Sequence, residues 1–257
     1  MSGNRKQPNF LSSPAHLSHI LLALLALCIG AYVLTQSVVF AFVSFALIIA
    51  LFFSDFSLKQ GMKQNAMELA YAIGFAAAAW FLLGFVLHTD SPINVVTSCS
   101  MLPNLQRGDL VFIRGGVESA PSVNAATADL AGVRVRKGMC YSNSIPVQCT
   151  DQVLVSNKTI DADLNNDIIV FDPKPTGPGL LIHRVFVKIE TEQGVFYLTK
   201  GDNNPVLDQE NGRFAFVAEK DVKGRVVLRI PYVGYLKLFL FLQFEVPQGC
   251  DSVLTKA

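Results

Sequence analysis

The sequence predicts a membrane protein in two parts: three N-terminal transmembrane helices, then a predominantly β domain on the extracytoplasmic side. Three observations carry that reading. Charged side chains make up 16% of the 257 residues, against about 25% in an ordinary soluble domain. They are also unevenly spread, because residues 1–90 hold seven (Arg5, Lys6, Asp55, Lys59, Lys63, Glu68 and Asp90) and the other 167 hold 34. Beyond residue 90 the apolar residues regroup into short β-type runs. With 51% hydrophobic residues and a net charge of +1, the composition excludes a disordered chain and a basic nucleic-acid binder.

The helices are read from uncharged runs. Gln7 to Ser54 carries no charge. As one helix, residues 17–54 would be about 57 Å long, nearly twice a hydrocarbon core of about 30 Å. The run is therefore predicted to break at Thr35-Gln36-Ser37, giving spans of about 17–34 and 38–53. A further uncharged run, Leu69 to Thr89, supplies a span of about 69–88. Arg5 and Lys6 precede the first span, and Lys59 and Lys63 lie between the second and third. Basic residues stay on the cytoplasmic side, so both pairs are inside only if two spans separate them, and the third span then exits. A cleaved signal peptide is disfavoured, because the apolar stretch is too long for its h-region and no A-x-A site closes it. Residues 1–90 are thus expected to form the anchor and 91–257 the β-rich domain.

In the second part the runs Leu110–Ile113, Ile168–Phe171, Leu181–Ile189, Val195–Leu198, Phe214–Val217 and Val226–Ile230 read as strands, punctuated by Gly, Pro, Asn and Asp. Residues 115–166, rich in Ser, Ala, Asn and Val, read as an insertion with a hairpin of its own. The apolar run Tyr232–Val246 carries Lys237 and Glu245 and is only about four helical turns long, which suits an interfacial or core segment better than a fourth span. Of the five cysteines, Cys140 and Cys149 are placed either to close a small disulfide loop in the insertion or to remain as two thiols. Asn157-Lys158-Thr159 is a glycosylation sequon on the same side.

Three segments hold the chemistry-bearing residues. The first, Ser98-Cys99-Ser100-Met101-Leu102-Pro103 followed by Gly108-Asp109-Leu110, begins about ten residues after the third span. Ser100 therefore lies within about 40 Å of the membrane exit. The second, Leu181-Ile182-His183-Arg184-Val185, puts a histidine in a strand, where a lone His is usually structural. The third, Thr199-Lys200-Gly201-Asp202-Asn203-Asn204 with Asp208 beyond it, puts two carboxylates in a turn, where turn chemistry or a loosely held cation is the plain explanation.

Taken together and in order, these segments resemble the boxes of the signal peptidase I family, in its archaeal and endoplasmic-reticulum branch. The likeness includes S-x-S-M-x-P, the G-D-L-V after it, D-I-I-V-F at Asp167 to Phe171, I-H-R-V, T-K-G-D-N-N, and Gly224-Arg225-Val226 leading to Ile230-Pro231-Tyr232-Val233-Gly234-Tyr235. It covers residues 98–235. It implies a signal peptidase-like β fold and a serine endopeptidase that cleaves signal peptides from exported preproteins. The bacterial branch has a lysine as general base. A histidine there marks the other branch, and the position is His183.

The resemblance implies Ser100 as nucleophile, His183 as base and then acid, and an aspartate to orient the imidazole, with Asp202 the first candidate and Asp208 the second. A serine hydroxyl needs such a base, and a neutral imidazole serves at neutral pH. The Ser100 N–H and the Ser98 hydroxyl are expected to face the oxyanion. Met101 and Leu102 line a shallow pocket for small substrate residues, or simply pack. Two departures from the family pattern stand out, the long insertion and Asn166 where Gly usually precedes the Asp167 box. The two extra spans favour an archaeal cell membrane over the endoplasmic reticulum, and they recruit a translocon or only anchor.

The expected partners are signal peptides and membrane lipids, with no nucleic acid. No C-x-x-C, clustered His or glycine-rich phosphate loop implies a metal or other cofactor. Two alternatives are a cysteine transpeptidase using Cys99 with His183 and Arg184, and a non-catalytic β module or translocon subunit.

Overall fold

The computed structural model describes residues 14–55, 62–173, 179–212 and 214–256. The chain divides into two units, Met1–Ala79 and Trp80–Ala257. The first is helical. Helix α1 spans Pro14–Thr35, α2 Val38–Asp55 and α3 Met62–Leu87, the last eight residues of α3 falling in the second unit. Between α1 and α2 the Thr35 hydroxyl turns back onto the Ala31 carbonyl (2.8 Å), and Gln36 takes a left-handed φ of 48° that ends the helix. The two helices pack side by side as a hairpin.

The third helix begins at Met62, ahead of the expected 69, because Lys63 and Glu68 are good helix formers and extend it by two turns. Among the described residues, two helices are long and apolar enough to cross a membrane, Leu17–Thr35 and Lys63–Leu87. The apolar part of α2, Val38–Leu51, is shorter. All three expose large apolar side chains, such as Leu34, Val39 and Phe75, a surface suited to lipid.

The second unit is β-rich. Its strands are β1 (Ile93–Val95), β2 (Leu110–Arg114), β3 (Ser122–Asn124), β4 (Arg134–Ser142), β5 (Ile145–Val155), β6 (Lys158–Asp161), β7 (Ile168–Phe171), β8 (Leu181–Thr191), β9 (Gly194–Lys200), β10 (Val217–Ala218), β11 (Val222–Ile230) and β12 (Leu254–Lys256). An eight-stranded sheet runs β1-β2-β11-β7-β8-β9-β10, with β3 laid parallel on β8. A second sheet runs β12-β4-β5-β6.

The insertion is therefore more than a hairpin: it builds most of a separate sheet and lends β3 to the first. Its β4–β5 hairpin is stapled by a disulfide between Cys140 and Cys149. The run Phe214–Val217 contributes strand only at Val217–Ala218. Tyr232–Val246 contains a short helix, α4 (Tyr235–Leu240), which buries Leu238 and exposes Phe239 and Leu240, and beyond it Phe241, Leu242 and Phe244 are exposed as well.

A bulge in β8 organises the core. Val185 pairs with Thr199 but Val187 pairs with Leu198, so the strand carries an extra residue at Phe186. An extra residue reverses the alternation of faces beyond it. Before the bulge, Val185 packs with Ile169, Phe171, Tyr197 and Val217. Beyond it, Val187 and Ile189 join Phe186, Leu198 and Leu207 against Val153 and Val155 of the insertion. Asn166 supports this point, its side-chain amide donating to the Val185 carbonyl (3.1 Å), which a glycine there could not do.

Candidate active site

The Ser98–Pro103 segment sits in the loop between β1 and β2. Its ends are clamped where Val96 N–H donates to the Asp109 carbonyl (2.9 Å) and Gly108 N–H to the Val96 carbonyl (2.8 Å). Inside the loop Val96, Met101 and Leu105 are buried with Val111, which turns Ser100 outward. Met101 is thus a packing residue rather than a lining one. Gly108 has φ 87°, and a Cβ there would stand 2.3 Å from the Tyr235 ring, so only glycine fits.

Three of the predicted residues converge. His183 Nε2 lies 2.9 Å from Ser100 Oγ, and His183 Nδ1 lies 2.6 Å from Asp208 Oδ2. Both His183 and Asp208 are 5% exposed. With Nδ1–H donated to the carboxylate, Nε2 is left as acceptor for the serine hydroxyl. The Thr199 hydroxyl donates to the same Asp208 oxygen (2.7 Å), and Asp208 N–H donates to the Thr199 carbonyl (2.9 Å). The Phe171 ring meets the imidazole edge-on, centroids 6.5 Å apart. Ser98 Oγ lies 3.1 Å from Ser100 Oγ.

Asp202, the first candidate for the orienting role, does not reach the ring. Neighbouring residues of a strand point to opposite faces, so Arg184 projects away from His183. Its Nε and Nη2 form a two-pronged pair with the Asp202 carboxylate (2.8 and 2.7 Å), and its Nη1 donates to the Leu164 and Asn166 carbonyls (2.6 Å each). Asn104 of the serine loop donates to Asp202 as well (2.8 Å). Cys99 is joined to Cys250 in a disulfide, which leaves it no thiolate for nucleophilic chemistry. Lys188 pairs with Glu190 (2.8 Å).

Two carboxylates of the β-rich unit, Asp109 at the end of the serine loop and Glu210 two residues after Asp208, have shifted titration. Burial pushes the Asp109 carboxyl above its ordinary range, against the opposing pull of the Gln106 N–H and the Arg229 guanidinium. Burial also acts to raise Glu210, but its bonds from Lys137, Thr150 and the Leu207 N–H outweigh it and hold the carboxyl below the usual range. Among the described residues, no group of three or more His, Cys, Asp or Glu side chains is arranged to hold a metal.

Sequence reasoning gave no role to Thr199 or Asn203, placed Arg184 only beside Cys99, and marked Asn166 only as a departure from the family pattern. Thr199 and Asn203 both lie in the T-K-G-D-N-N segment, where the resemblance singles out only Asp202. Beside the site a groove of about 670 Å³ runs between edge strand β1, with Asn94 and Val95, then Thr97 beyond its end, and the stretch Gly179–Leu181 that leads to His183.

No profile of a known protein family matches the chain. It is similar to an uncharacterized protein of Methanocaldococcus jannaschii, 32% identical over 181 residues, covering 58% of this chain and 84% of that protein. It is also similar to the signal peptidase complex catalytic subunit sec11 of Schizosaccharomyces pombe, 28% identical over 196 residues, covering 72% and 85%. The corresponding SEC11 subunit of Tuber melanosporum is 30% identical over 186 residues, covering 70% and 79%.

Proposed function

The chain belongs to the signal peptidase I family, and on that premise we propose that it is a membrane-bound serine endopeptidase that removes N-terminal signal peptides from exported preproteins. The observation that carries the reading is the hydrogen-bonded line from Ser100 through His183 to Asp208. In this mechanism His183 Nε2 takes the Ser100 proton as the oxygen attacks the scissile carbonyl. Asp208 stabilises the imidazolium that forms, and His183 then hands the proton to the leaving amine. A water, activated by the same imidazole, releases the acyl group from Ser100.

The oxyanion is met by the Ser100 N–H and the Ser98 hydroxyl, which rotates from its resting bond to Ser100 Oγ. Asp202 acts at one remove, pairing Arg184 and holding Asn104 of the serine loop. The substrate lies extended in the groove beside β1, where an edge strand offers unpaired backbone groups.

Residues 1–90 anchor the enzyme by three spans, about 17–34, 38–53 and 69–88, leaving residues 91–257 on the extracytoplasmic face of a cell membrane, or of the endoplasmic reticulum in a eukaryote. There the catalytic domain meets a cleavage site presented just outside the bilayer. The fungal relatives are named as subunits of a complex, and this chain works likewise beside the translocon. The test is cleavage of a preprotein by the full chain in liposomes. The wild type cuts at the signal site and Ser100→Ala does not. Equal cleavage by both overturns the assignment.

A further inference from the structure

Asn203 stands next to the serine loop and holds two consecutive peptide units there. Its backbone N–H donates to the Ser100 carbonyl (2.7 Å), and its side-chain Nδ2, whose two hydrogens are shared among three carbonyls, reaches the Cys99 carbonyl at 3.2 Å. The Cys99 carbonyl and the Ser100 N–H belong to one planar trans peptide unit, so fixing the direction of the first fixes the direction of the second. Fixing the Ser100 carbonyl holds the other side of the same residue.

Asn203 is itself held from behind by the segment around Cys250. Nδ2 also meets the Gly249 carbonyl (3.0 Å) and the Ser252 carbonyl (2.9 Å), while Oδ1 accepts from the Leu254 N–H (2.7 Å). That segment is bonded to the serine loop through Cys99–Cys250 and continues into β12, which pairs with β4 at Cys140–Ser142. Gly201 lets the two loops approach, since a Cβ there would stand 2.7 Å from the Ser100 carbonyl oxygen.

We propose that Asn203 is a positioning residue of the reaction: it aims the Ser100 N–H at the developing oxyanion, and the 249–254 segment, fastened by Cys99–Cys250, holds Asn203 in place. This rests on the reading of Ser100 as nucleophile. A positioned donor matters in the transition state more than in the ground state, so the effect falls on kcat and leaves KM nearly alone. Asn203→Asp is the sharper variant, because it keeps an oxygen for the Leu254 N–H but turns an acceptor toward the Cys99, Gly249 and Ser252 carbonyls.

The test measures cleavage of a fluorogenic signal-sequence peptide by the full chain in liposomes. Asn203→Ala is expected to lower kcat roughly 10- to 100-fold, below the 10²- to 10³-fold loss of a direct oxyanion donor. KM stays within about threefold, and the shape of the pH–rate profile is unchanged because the His183–Asp208 pair is untouched. Asn203→Asp is expected to lose at least as much. Cys250→Ser, which leaves Asn203 intact, is expected to lower kcat severalfold at constant KM, and it decides the matter if the Asn203 variants do not fold.

Wild-type kcat in Asn203→Ala and Asn203→Asp, or a rise in KM at unchanged kcat, overturns the inference. Where the Asn203 variants do not fold, wild-type kcat in Cys250→Ser overturns it. A dead Ser100→Ala beside either result leaves the peptidase reading standing. An active Ser100→Ala removes that reading instead.

Discussion

Replacing Asp208 by Asn and, separately, Asp202 by Asn should separate the two carboxylates cleanly. Asp208 Oδ2 accepts from both His183 Nδ1 and the Thr199 hydroxyl. An amide there carries no charge to stabilise the imidazolium, and in the flip that puts its NH₂ at the Oδ2 place the imidazole settles with its proton on Nε2. In that tautomer the ring has no lone pair for the Ser100 proton. The expected loss is about 10³- to 10⁴-fold in kcat, or about 4–5.5 kcal/mol of transition-state stabilisation. KM should stay within a few fold, because Asp208 is buried away from the groove.

Asp202→Asn removes the partner of Arg184, whose side chain is 11% exposed and keeps only two backbone carbonyls. Breaking such a pair costs about 3–5 kcal/mol of stability, with kcat of the folded fraction within about tenfold of wild type. Steady-state cleavage, normalised by active-site titration, together with urea denaturation reads both quantities. A larger kcat loss in Asp202→Asn than in Asp208→Asn, at unchanged stability, would refute the reasoning.

Other consequences are as accessible. Ser98→Ala should lower kcat about 10²- to 10³-fold with little change in KM, measured on the same peptide. Glu210 has a folded pKa below its unfolded value, so its stabilising contribution is present above about pH 4.5 and is lost as pH falls through the folded value. Denaturation midpoints at pH 7 and pH 3 should therefore converge in Glu210→Gln relative to wild type. Gly108→Ala forces a side chain into a φ of 87° and against the Tyr235 ring, and should lower the thermal midpoint by an amount worth about 2–4 kcal/mol.

How much could be read from sequence depended on whether the signal was local. The run Ile168–Phe171 coincides with β7, and β8 and β9 overrun their predicted ends by only one or two residues, because buried central strands are continuous apolar runs. The insertion was faint because most of β4 lies exposed, which dilutes the alternation that marks a half-buried strand. The segments that carry Ser100 and His183 were legible from their order, and the structure brings the two side chains together. The choice between Asp202 and Asp208 was not, because it turns on which face of β8 each neighbour takes. Arg184, one residue from His183, claims the nearer carboxylate in sequence and leaves the farther one for the ring. The Cys99–Cys250 link joins residues 151 apart, a separation about which spacing says nothing.

That link also sets a timetable for making the enzyme. At a synthesis rate of about 5–20 residues per second, Cys99 waits about 8–30 s for its partner 151 residues later. During that interval Cys140 and Cys149 emerge as rival thiols. They are only nine residues apart and lie diagonally across the β4–β5 hairpin, Cys140 opposite Val147 and Cys149 opposite Gly138, so loop-closure entropy favours their joining first. The short bridge thereby clears the field for the long one. The serine loop is fastened only when the segment around Cys250 has been delivered, so the nascent protease stays unfinished for most of its own synthesis.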